Sequence, residues 1–140
     1  MERMAAPSSP FRVLLVDDEP VIRELVQAML EGGGVEVRCV DSGARALAEA
    51  RTHHPDLVLL DIVMPGLDGL AVLRLLRADP ALAGVPVHML TARARPADHA
   101  AAEKAGADGY IEKPFKGQAL QALVEALRRR PGPARPPAVP

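Results

Sequence analysis

The segment Leu57-Val58-Leu59-Leu60-Asp61, continuing into Ile62-Val63-Met64-Pro65-Gly66, governs the fold of the whole chain. Four apolar residues in succession predict a strand buried on both faces, the habit of a central strand in a parallel sheet. A carboxylate then stands at the strand's carboxyl end, and Pro65-Gly66 turns the chain directly afterwards. Open α/β sheets bind ligands in the crevice beyond the carboxyl ends of their strands. Asp61 is therefore placed for chemistry rather than for packing.

Upstream, Phe11 to Val16 (FRVLLV) forms a first strand ending in Asp17-Asp18-Glu19. Pro20 suits the first position of a helix, where its missing N–H costs nothing. Val21, Ile22, Leu25, Val26, Met29 and Leu30 then recur at helical spacing until Gly32-Gly33-Gly34. Val35, Val37 and Cys39 alternate with Glu36 and Arg38, the period of an edge strand with one wet face. Asp41 or Ser42 caps a second helix, which runs to about His53 before Pro55. Downstream of Asp61 a helix spans about Leu67 to Arg77, stopped by Asp79-Pro80, and a fourth strand spans Val85 to Leu90, ending at Thr91. Pro96 opens an Ala-rich helix that stops at Gly106, and a short strand from Asp108 to Glu112 leads into Lys113-Pro114. The last helix carries Leu120, Leu123, Val124 and Leu127 on one stripe and finishes in Arg128-Arg129-Arg130.

Five strand–helix units predict an α/β, doubly wound, five-stranded parallel sheet with helices on both faces and right-handed crossovers. Strands one, three and four are apolar enough to be interior, whereas the second alternates and the fifth is short. The order 2-1-3-4-5 sets both weak strands at the edges and the switch point between strands one and three, the flavodoxin-like arrangement. Residues 1–10 read as a disordered lead without the apolar core of a signal peptide. Residues 131–140, with five prolines at 131, 133, 136, 137 and 140, read as a solvated Pro-rich tail. The folded domain is expected over 11–130, with no second domain.

Composition narrows the function. The chain has 140 residues and a net charge of −1 with both signs mixed, so no global field draws it to nucleic acid or to an anionic membrane. The single cysteine, Cys39, excludes an internal disulfide, and no apolar run approaches the roughly 18 residues of a membrane span. A cytoplasmic location is expected.

At the strand ends stand Asp17 and Asp18, Asp61, Thr91 and Lys113. Converging carboxylates repel one another and raise each other's pKa, so a cation belongs among them. Hard carboxylate oxygens, few in number, suit Mg²⁺. The Thr91 hydroxyl and Lys113 ammonium exceed what a metal needs, and fit a donor and a point charge for phosphoryl oxygens. A carboxylate in that company is equipped to attack phosphorus and become an aspartyl phosphate.

In these features the chain resembles the receiver domain of bacterial two-component response regulators, over about Phe11 to Arg130. The resemblance rests on the acidic pair Asp17-Asp18, the segment Asp61, Met64, Pro65, Gly66, Gly69, the pair Thr91-Ala92 and the run Lys113-Pro114-Phe115. It implies that Asp61 accepts a phosphoryl group from a histidine kinase or histidine phosphotransfer protein. Asp18, Asp61 and the carbonyl of Val63 would ligate Mg²⁺ directly, and Asp17 through water. Thr91, Ala92 and Lys113 would bind the phosphoryl group, and the Lys113–Pro114 bond would be cis. Thr91 and Tyr110 would form the switch, read by a protein target through the fourth helix, fifth strand and fifth helix. Val63 and Arg93 would rim the pocket and shield the phosphoryl group from water.

Plainer readings account for less. A helix cap needs one carboxylate, whereas Asp17, Asp18 and Asp61 supply three. Tyr110 could be a packed ring with its hydroxyl at the rim. His53-His54 and the arginines at 128–130 suit helix ends more than metal or nucleic acid. A haloacid-dehalogenase-type phosphatase also forms an aspartyl phosphate, but its D-x-D pattern is replaced here by Asp17 and Glu19. A phosphorylation-independent interaction module would lack one of the site residues, and all are present.

Overall fold

Strand β3 (Leu57–Asp61) is buried at every position and divides its side chains between two cores. Val58 and Leu60 enter one core, Leu57 and Leu59 the other, all fully excluded from water. Each such side chain contributes about 1.5–3 kcal/mol by its burial, which makes β3 the spine of the molecule. The computed structural model describes residues 10–92 and 96–129; the Pro-rich tail and, apart from Pro10, the lead expected from the sequence lie outside the described residues.

Around β3 the chain alternates through β1 (Phe11–Val16), α1 (Pro20–Leu30), β2 (Val35–Val40), α2 (Gly43–His53), α3 (Gly69–Ala78), β4 (Val87–Thr91), α4 (Pro96–Ala105), β5 (Gly109–Glu112) and α5 (Gly117–Arg129). Every pairing is parallel and the sheet runs β2-β1-β3-β4-β5, the order expected from the burial of each strand. Val26 and Leu30 of α1 with Leu120 and Val124 of α5 close one core. Ala46 and Ala50 of α2, Val72, Leu73 and Leu76 of α3, and Ala102 of α4 close the other. Among the described residues no helix is long and apolar enough to cross a membrane.

Local chemistry sets the boundaries. Ser42, not Asp41, caps α2 by accepting from the Arg45 amide. Helix α3 begins two residues later than its apolar pattern predicts, because Asp68 takes the cap by accepting from the Ala71 amide at 2.9 Å. Strand β4 starts at Val87 rather than Val85, since the Val85 amide is spent on the Leu82 carbonyl and Pro86 has no N–H. Arg77 then fastens that loop. Its guanidinium donates to the carbonyls of Ala83, Val85 and Gly106 and to the Asp108 carboxylate, at 2.6–3.1 Å. Helix α4 is held differently from the others, with Ala102 as its one buried residue.

Candidate functional site

Register brings the strand-end residues to one level. Val16 pairs with Leu60 across β1 and β3, so Asp17 and Asp61 leave the sheet side by side. Asp61 is level with Leu90 of β4, and Thr91 with Glu112 of β5, which sets Thr91 and Lys113 on the same rim. The Lys113 amide donates to the Thr91 carbonyl at 2.7 Å.

Gly66 and Gly69 make the turn behind Asp61 possible. Gly66 has φ +77°, a left-handed backbone that a side chain would oppose. A Cβ on Gly69 would stand 2.1 Å from the Asp61 carbonyl oxygen, so only glycine lets α3 start against the end of β3. The Gly69 amide uses that approach to donate to the Ile62 carbonyl at 3.0 Å.

Asp17, Asp61 and Thr91 are the buried polar side chains of the core, at 0%, 4% and 2% exposure. Asp17 Oδ1 accepts the Glu19 amide at 2.9 Å, and its Oδ2 lies 2.8 Å from Lys113 Nζ. Its backbone carbonyl accepts from Arg23 at 2.9 Å. Asp61 Oδ1 accepts the Val63 amide at 3.2 Å, while Oδ2 faces Lys113 Nζ at 3.5 Å. Glu19 completes the ring around the ammonium, with Oε1 at 3.0 Å. Helix α1 has Glu19 as its N-cap residue and gains no side-chain cap bond from it, so the acidic run serves the site and not the helix end.

Oxygens of Asp17, Glu19 and Asp61 all lie within 4.8 Å of one another. Asp18 is half-buried and is not one of these three; Glu19 is. Nothing in the linear sequence separates Glu19 from an ordinary residue before a helix, because the partner that fixes it lies 94 positions away. Val63 is 68% exposed beside the site, Ala92 is exposed, and the Lys113–Pro114 peptide is cis. Tyr110 is half-buried against the core closed by α3 and α4. Arg93 lies outside the described residues.

The electrostatics follow from the geometry. Burial, reinforced by the charge of Asp17, pushes the Asp61 carboxyl up to about 6, against the opposing pull of Lys113 and the Val63 amide. Burial works against the Lys113 ammonium, but its bonds to Asp17 and Glu19 and the charge of Asp61 outweigh it and raise its pKa. Three carboxylates face one ammonium, an excess of negative charge in hard oxygens that fits a small divalent cation such as Mg²⁺.

Residues 13–125 match the family described as the response regulator receiver domain. The chain belongs to that family. As a receiver domain it is 44% identical over 119 residues to the DNA-binding response regulator MtrA of Mycolicibacterium smegmatis, an alignment covering 85% of this chain and 51% of MtrA. It is 43% identical over 122 residues to the transcriptional regulatory protein CseB of Streptomyces coelicolor, covering 87% of this chain and 51% of CseB. The receiver domain thus spans about half the length of the curated relatives it matches. Among solved structures, the chemotaxis protein CheY4 of Vibrio cholerae superposes with a TM-score of 0.80 at 30% identity, covering 84% of this chain and 98% of that one. A putative response regulator from Chloroflexus aurantiacus gives 0.80 at 35% identity, covering 86% and 99%. Receiver domains are signalling domains of two-component systems rather than conventional enzymes, and membership sets the phosphatase alternative aside.

Proposed function

We propose that Asp61 is the phosphoacceptor of this receiver domain, loaded by a histidine kinase or histidine phosphotransfer protein in the cytoplasm. The observation that carries the reading is the buried Asp61 carboxylate, raised to about 6 and facing Lys113 at 3.5 Å. At neutral pH it is ionised, and its raised pKa makes it a better nucleophile than an exposed aspartate. An Asp61 oxygen attacks phosphorus while the bond from phosphorus to the donor's nitrogen breaks, and the electron pair leaves with that nitrogen. Lys113 then turns from the carboxylates to the phosphoryl oxygens, and the Thr91 hydroxyl donates to one of them.

Asp17, Asp18, Asp61 and the Val63 carbonyl would hold Mg²⁺, with Glu19 close enough to join them. The ion would supply charge neutralisation for the phosphoryl oxygens. Movement of Thr91 toward the phosphoryl group would be passed to Tyr110, and a protein target would read the result on α4, β5 and α5. The chemistry is tested by offering the chain phosphoramidate, whose P–N bond imitates phosphohistidine, and treating the product with hydroxylamine. Phosphate released by hydroxylamine is the expected result for an acyl phosphate. A hydroxylamine-stable phosphate would move the acceptor to a hydroxyl and end the proposal.

A further inference from the structure

Tyr110 is held by His99 of α4 in two ways. Its ring stacks on the His99 imidazole with centroids 4.1 Å apart and planes 15° from parallel. Its hydroxyl donates to the backbone carbonyl of the same His99. The His99 Nε2 atom is buried and has no hydrogen-bond partner among the described residues, so the stack keeps from water a polar nitrogen that no bond there rewards. Helix α4 offers the core Ala102 as its one buried residue and Ala105 half-buried beside it, and the Tyr110–His99 pair adds to that attachment.

We propose that His99 and Tyr110 form a two-ring latch between α4 and β5, with His99 as the positioning residue that holds Tyr110 until the switch is thrown. The inference rests on the reading of Asp61 as phosphoacceptor and adds the component that sets how easily the switch is thrown. Tyr110 pairs with Met89 on β4, two residues before Thr91, so the latch and the site share one strand. Because loading moves Tyr110, the contacts that hold it on His99 must be given up when the switch is thrown. Releasing the latch beforehand removes that cost, and loading quickens in proportion to the population gained. A stacked ring pair of this kind accounts for roughly a 2- to 10-fold effect.

The chain provides its own probe, since Tyr110 is its one tyrosine and it has no tryptophan. Emission excited in the tyrosine band therefore reports Tyr110 alone, quenched by the imidazole stacked on it. His99→Ala and His99→Leu, the second keeping apolar bulk if the first fails to fold, are expected to brighten that emission and open it to acrylamide. Both are expected to speed phosphoryl uptake from phosphoramidate with Mg²⁺ by roughly 2- to 10-fold, read by intact mass. Emission and acrylamide access unchanged in both folded variants would overturn the latch. So would uptake no faster than the native rate, and in that case the phosphoacceptor reading would stand. No uptake by the native chain would overturn the phosphoacceptor reading and the coupling together.

Discussion

Replacing Asp61 with Asn is predicted to stabilise the metal-free receiver domain at neutral pH. Folding raises the Asp61 carboxyl from its ordinary 3.8 to about 6, chiefly by burial and then by the charge of Asp17. The folded state therefore binds this proton more tightly than the unfolded chain between those values. The resulting stabilisation is full below 3.8 and is lost as pH rises through about 6, leaving an ionised, poorly solvated carboxylate. A difference of about 2 pH units, at about 1.4 kcal/mol each, sets a ceiling near ~3 kcal/mol. Screening by water at the rim reduces it to about 1–2 kcal/mol. Asparagine keeps an oxygen for the Val63 amide and loses the 3.5 Å contact to Lys113, but Lys113 retains Asp17 and Glu19. Urea unfolding in EDTA, from pH about 4.5 to about 8, reads the effect. The variant should be more stable by about 1–2 kcal/mol at the upper end, with the gap nearly closed at the lower end and narrowed by Mg²⁺. A variant no more stable than the native chain at pH 8, or a gap that ignores pH, would refute the reasoning.

Four further substitutions, at three residues, probe the scaffold and the site. Arg77→Ala removes the donors to Ala83, Val85, Gly106 and Asp108 and should cost about 2–4 kcal/mol by urea midpoint. Arg77→Lys should recover less than half, because an ammonium lacks the planar fork, and full recovery would show that charge alone matters. Gly69→Ala forces a Cβ against the Asp61 carbonyl and should cost about 2–4 kcal/mol while slowing phosphoryl uptake; a neutral effect would mean α3 starts elsewhere in solution. Lys113→Ala removes the cation that faces Asp17, Glu19 and Asp61 and should slow uptake by about 10²-fold, whereas a native rate would exclude Lys113 from the chemistry.

The fold was legible because each strand announces its surroundings. The run Leu57–Leu60 has no polar side to turn outward, and the alternation in Val35–Val40 has one, which fixes their places at centre and edge. The strand ends were legible for a related reason, since each apolar run breaks at a polar residue and parallel strands align those breaks. What stayed hidden depends on contacts far along the chain. Val85 reads as strand until Arg77 takes its carbonyl at 2.6 Å and the Leu82 carbonyl takes its amide. Glu19 reads as the end of an acidic run until β5 delivers Lys113 beside it. His99, one polar residue in an Ala-rich helix, gives no sign of its stack until α4 is laid over Tyr110.

The central claim, that Asp61 carries the phosphoryl group, is tested most directly by intact mass after incubation with a small phosphoryl donor and Mg²⁺. The native chain should gain the mass of a single phosphoryl group, and Asp61→Asn, folded and more stable, should gain none. Equal gain by both chains would place the phosphoryl group on another residue and contradict the account.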